Sequence, residues 1–241
     1  MSRYLVINLA ILSFPFLFSF WKPVSYYRRW PALLFAFLTA GTVYIVWDGL
    51  VSAGSVSAAW DGWARSQHWG FNPEYLLGIK ILTLPLEEIL FFVAAPYSSI
   101  FIYESLRAFT REKRVPFPMA LHIVLAAGFF AAAAVFSGQG YTRLAMIACG
   151  LFFAAAAFLN RDMVRSRHYW LFILIAYLPF LIFNHLLTAP PVVVYNPEAI
   201  WGIRILSIPL EDFFYNYSML SFYLLAFLAV RNKWILGRGY A

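Results

Sequence analysis

The chain has 241 residues, of which 63% are hydrophobic, 20% aromatic and 12% charged, and its net charge is +7. A soluble domain holds about a quarter charged residues, so the composition excludes a soluble globular protein and requires apolar segments that satisfy their own backbone in hydrocarbon. The basic residues sit in short loops between apolar runs, which argues against nucleic-acid binding and for topology signals and attraction to anionic lipid.

Seven apolar windows read as spanning helices, at residues 4–20, 31–50, 76–106, 118–136, 142–159, 169–187 and 200–230. The first follows Met1-Ser2-Arg3 in the manner of a signal peptide. It runs to Phe20 without a small-residue cleavage site, however, and is taken as a spanning helix. The third and seventh exceed the ~20 residues a crossing needs; Pro85, Pro96 and Pro209 offer kink points. Thirteen basic residues, among them Lys22, Arg28, Arg107, Arg161, Arg231, Lys233 and Arg238, fall on one side of this arrangement. Arg3, Arg65 and Arg143 fall on the other, so the positive-inside rule places the C-terminus in the cytoplasm and the N-terminus outside.

Two segments repeat each other without a gap at an offset of 124. Residues 72–88 read NPEYLLGIKILTLPLEE and residues 196–212 read NPEAIWGIRILSIPLED, identical at ten of seventeen positions. The chain is read as a duplication: an all-α polytopic membrane protein of about seven helices, built from parallel three-helix repeats at 1–115 and 138–241 with a connecting helix at 116–137. Asn-Pro-Glu is a helix-start signal, so the third and seventh helices are expected to begin at Pro73 and Pro197. Glu87 and Glu211 then lie about 21 Å along them, near the middle of a ~30 Å hydrocarbon core.

Acids at that depth are costly and mark function. Desolvation favours the protonated carboxyl, the form a general acid needs. The competing structural reading pairs Lys80 with Glu87 and Arg204 with Glu211. Against it, the acidic pairs Glu87-Glu88 and Glu211-Asp212 outnumber those bases. Phe91, Phe92, Phe214 and Tyr215, close behind the acids, could stabilise a cation with their faces or simply pack. Asp48, Asn184 and His185 are further polar residues near helix ends, expected either to support the acids or to cap. Cys149 is the one cysteine, which rules out an internal disulfide. His68, His122, His168 and His185 lack metal-ligand spacing, and Gly138-Gln139-Gly140 lacks the rest of a dinucleotide fingerprint; neither metal nor nucleotide cofactor is expected.

The stretches PLEEILFF at 85–92 and PLEDFFYN at 209–216, each preceded by NPE and GI(K/R)IL, resemble the two motifs of the heterodimer-type lycopene cyclases in their fused form. The resemblance implies lycopene β-cyclisation: protonation of a terminal double bond, ring closure of the cation, and loss of a ring proton, giving γ-carotene and β-carotene without redox change. By motif match, Glu87 and Glu211 are the first choices for the proton-handling acids, with Glu88 and Asp212 as their partners. The implied setting is a cell membrane, with lycopene and membrane lipid as partners and room for contact with other carotenoid enzymes. A C50 or ε-type cyclase or a hydratase shares this fold. A proton-coupled transporter shares the repeats and the midplane acids. A retinal receptor is set aside, since helix seven has Arg204 and no interior lysine.

Overall fold

A computed structural model describes residues 2–237, with side chains as far as Arg231; Lys233 and Arg238, used in the topology reading, lie outside the described side chains. The principal helices are α1 (Arg3–Phe18), α2 (Tyr26–Val51), α3 (Leu86–Phe109), α4 (Met119–Val135), α5 (Gly140–Leu159), α6 (Arg167–Thr188) and α7 (Leu210–Gly237). Five of them are long and apolar enough to cross a membrane, while Arg3–Phe18 and Met119–Val135 are shorter. Pro15, Pro96 and Pro179 lie inside α1, α3 and α6.

The sequence expectation fails at the starts of α3 and α7. Neither helix begins at the Asn-Pro-Glu signal. The Asn72 side chain accepts the Glu74 N–H at 3.1 Å and caps only a single 3₁₀ turn, Pro73–Tyr75. Gly78, at φ 83°, then turns the chain into a hairpin of β3 (Lys80–Ile81) and β4 (Leu84–Pro85). The second copy does the same: Gly202 has φ 88°, and β6 (Arg204–Ile205) pairs with β7 (Ile208–Pro209). Only glycine takes such angles without cost, and the residue before a proline is held extended, so the duplicated Gly and Pro dictate a turn and an extended arm. The helices start one residue after Pro85 and Pro209, which are therefore helix boundaries and not kinks.

Strand also forms in the loops, where the all-α reading expected none. β1 (Ser52–Ser55), β2 (Trp69–Phe71) and β5 (Val193–Tyr195) form a small sheet, β1 parallel and β2 antiparallel to its partner, with Trp69 opposite Tyr195 and Phe71 opposite Val193. This sheet joins the loop after α2 to the loop after α6.

The helices pack in matching pairs. α1 lies on α3 and α5 on α7; α2 lies on α7 and α6 on α3; α4 packs on α5. A π-helical turn, Phe37–Gly41, interrupts α2 where it meets α7. A Cβ on Gly41 would stand 2.6 Å from the Tyr223 hydroxyl, so a glycine is needed for this approach. That hydroxyl donates to the Phe92 carbonyl at 2.8 Å, tying α7 to α3. At the far ends of α3 and α7 the buried Glu104 receives Arg231 at 2.7 Å, with Arg29 and Arg107 at 3.5 and 3.6 Å.

Candidate active site

Starting α3 and α7 at Leu86 and Leu210 puts both acidic pairs in a first helical turn, not fourteen residues along a helix. All four carboxyls are buried. Consecutive helical residues point about 100° apart, so each pair divides between two environments.

Glu87 and Glu211 turn toward the hairpins. Glu87 Oε1 accepts the Leu77 N–H at 2.6 Å and the Ser2 hydroxyl at 2.7 Å. Glu211 Oε1 accepts the Trp201 N–H and the Thr142 hydroxyl, each at 2.5 Å. Ion pairs with Lys80 or Arg204 do not form among the described residues; Arg204 instead donates to the Ser207 carbonyl at 2.6 Å and lies over the Tyr195 ring.

Glu88 and Asp212 turn the other way, and both line one cavity of about 70 Å³. Glu88 accepts a hydrogen bond from the Tyr4 hydroxyl of α1 and stands beside the Asp48 carboxyl of α2. Asp48 in turn accepts the Trp69 indole N–H at 2.5 Å. Two carboxyl groups side by side away from water repel each other when both are ionised, so the pair favours a proton kept between them. Around Asp212 three donors converge: the hydroxyls of Tyr141 and Tyr195, each at 2.7 Å, and the Asn184 amide at 2.8 Å. Burial first, then the adjacent Asp212, pushes the Tyr195 hydroxyl well above the usual phenol range, so it remains a donor.

The remaining walls are aromatic. Phe91 and Tyr215 occupy matching positions one turn past Glu88 and Asp212, and both face the cavity, as do Trp69 and Phe180. Beyond Phe91 and Phe180 a cleft of about 50 Å³ continues between α1, α3 and α6.

Three residues singled out from sequence lie elsewhere. Phe92 is buried in the helix core. Phe214 points to α4, edge-on to Phe129 at 6.1 Å, and its carbonyl accepts the Cys149 thiol. His185 Nδ1 binds the Ser207 hydroxyl at 2.6 Å and secures a hairpin instead of an acid. Asn216, the position in α7 that matches Phe92, takes a place on the cavity wall. Asp48 and Asn184 do reach the acids. Tyr4, Tyr141, Tyr195 and Trp69 carry no motif of their own. The available signal was that each is a hydrogen-bonding aromatic near the end of an apolar run. Among the described residues no group of three potential metal ligands forms.

These features define a helical membrane protein that encloses paired carboxyl groups in an aromatic cavity. The lycopene cyclase family model matches residues 2–106 and 139–230, and the chain belongs to that family, whose substrate class is a carotenoid. The matched stretches flank the segment that holds α4. No curated protein and no solved structure matches the chain.

Proposed function

We propose that the chain is a lycopene β-cyclase acting by proton transfer, with Glu88 as acid and Asp212 as base. One observation carries the reading: the two carboxyls open onto a single aromatic cavity from matching positions of α3 and α7. The Asp48 carboxyl beside Glu88 favours a proton kept at the Glu88 side. Glu88 hands it to the terminal double bond, leaving a tertiary cation. An internal double bond attacks that carbon and closes the ring. Asp212, whose three donors suit a carboxylate, takes the ring proton, so the product is an isomer of the substrate and no electron is gained or lost. The faces of Phe91, Trp69 and Tyr215 offer the cation stabilisation of ~2 kcal/mol or more when desolvated.

In this reading Glu87 and Glu211 are positioning residues that hold the hairpins. Residues 1–115 and 138–241 form parallel repeats joined by α4, in keeping with the matching helix pairs. The N-terminus lies outside the cell membrane and the C-terminus in the cytoplasm.

Expression in a lycopene-accumulating host with chromatography of the pigments tests the proposal. The expected result is conversion to monocyclic and bicyclic β-carotenes, lowered by about 100-fold or more in Glu88→Gln and Asp212→Asn. Unchanged lycopene beside well-expressed protein would overturn it. An ε-ring, hydroxylated or C50 product would keep the acid chemistry and change the ring assignment. Proton flux in liposomes with no pigment change would point to a carrier.

A further inference from the structure

The cavity at Glu88 and Asp212 and the cleft behind it offer about 70 and 50 Å³. Pockets for drug-sized ligands run to ~300–1,000 Å³, so this space suits the reacting carbons of an end group and not a long polyene. The remainder of a carotenoid must lie outside it.

A cleft of about 1190 Å³ runs between α2 and α5 with α7 as its floor. Phe35, Val43 and Trp47 form one wall, Ile147 and Leu151 the other, and Ala226 part of the floor. From Leu144 to Leu159 the α5 wall extends about 22 Å. The Thr39 hydroxyl on this surface is already spent on the Phe35 carbonyl at 2.7 Å.

This cleft approaches the acid cavity through a cluster of three aromatic side chains. The Tyr215 ring stands edge-on to Tyr44 and Trp47, at 5.4 and 5.6 Å, and both of those line the cleft. It also lies 6.1 Å from both Trp69 and Tyr141, which line the cavity. Its hydroxyl is buried without a hydrogen-bond partner. The Tyr44 and Trp47 rings of the groove wall, with the Tyr215 ring behind them, therefore separate a long apolar groove from the carboxyl groups. The corresponding space between α6, α1 and α3 is the narrow 50 Å³ cleft, so the two sides are unequal.

We infer that the groove between α2 and α5 seats the polyene chain of the carotenoid, and that the end group passes between Tyr44, Trp47 and Tyr215 to reach Glu88 and Asp212. The inference rests on the cyclase reading for its substrate class. The groove provides one seat, so a linear molecule presents one end at a time.

Val43 and Leu151 are exposed residues of the groove walls, so larger side chains there grow into the groove without disturbing the core. Val43→Trp and Leu151→Trp are compared with Leu174→Trp, an exposed position of α6 outside the groove. Two quantities are measured on full-length protein: conversion of lycopene in membranes, and lycopene retained per chain after purification in detergent. Both groove variants are expected to lose tenfold or more of retained lycopene and of conversion, with the Leu174 variant unchanged. Wild-type conversion with groove variants equally active and equally loaded would overturn the groove and leave the cyclase reading standing. Wild type that binds lycopene without converting it would sink the cyclase reading, and the retention ratio would still decide the groove. Retention of phospholipid alone, or a change from dimer to monomer caused by the bulky residues, would assign the groove to lipid or to a second copy and overturn the inference.

Discussion

The Glu87 carboxylate accepts the backbone N–H of Leu77 at 2.6 Å, across the base of the first hairpin, and Glu211 holds Trp201 in the same way at 2.5 Å. The second oxygen of each acid has no partner. Beyond these latches the hairpin tips carry strongly exposed leucines, Leu82 and Leu206, at φ 57° and 58°. Bulky residues rarely adopt such angles, so the latches help hold strained turns in place.

Glutamine preserves the accepting oxygen. Glu87→Gln and Glu211→Gln should therefore keep conversion within about tenfold of wild type, whereas Glu88→Gln loses about 100-fold or more. Alanine at 87 removes the acceptor and should cost about 1–3 kcal/mol, read as a lowered melting temperature in detergent. A fully folded Glu87→Gln as inactive as Glu88→Gln would return the proton-handling role to Glu87.

Tyr195→Phe removes one of the three donors to Asp212 and leaves the ring in place. Loss of one such bond, worth about 1–2 kcal/mol, should slow conversion by about 5- to 30-fold. Product chromatography at matched protein levels measures it. An unaltered rate would mean that Tyr195 serves the sheet and not the base.

His68 sits in the loop before β2, and burial lowers its pKa to about 4. An unfolded histidine titrates near ~6.5. Between these values the unfolded chain binds a proton that the folded chain refuses. The stability this group contributes is thus complete above about pH 6.5 and falls as pH drops toward 4. Melting temperature against pH should be flatter over that window in His68→Gln than in wild type. Parallel curves would refute the assignment.

Among the described residues, Glu104 is the one acid paired with Arg231, Arg107 and Arg29, toward the far ends of α3 and α7. Glu104→Ala leaves the buried Arg231 uncompensated and should destabilise by about 3–5 kcal/mol. The ratio of pigment products should not change, because the cluster lies at the opposite end of these helices from the cavity. Denaturation in mixed micelles together with pigment analysis separates the two effects.

A single seat for the polyene makes ring closure sequential. A time course should show a monocyclic carotenoid rising before the bicyclic one. Added labelled monocyclic carotenoid should mix into the later product. A bicyclic product that forms at once, without exchange, would contradict release between the two closures.

The membrane class, the segments that became seven principal helices and the duplicated acidic pairs were legible in the sequence alone. Hydropathy and residue identity are local quantities, and an offset of 124 can be read without knowing any contact. The starts of α3 and α7 were not legible, because an apolar hairpin has the same hydropathy as a helical turn. Asn-Pro-Glu begins a 3₁₀ turn as readily as a long helix, and the Gly78 and Gly202 turns become visible only in the backbone angles. That displacement decided which acid faces what: moving a helix start changes the environment of every side chain after it, and neighbours lie about 100° apart. The partners of the carboxyls were equally hidden. Tyr4 and Glu88 are separated by 84 residues, and Tyr141 and Asp212 by 71, so only the packing of α1 on α3 and α5 on α7 brings donor to acid.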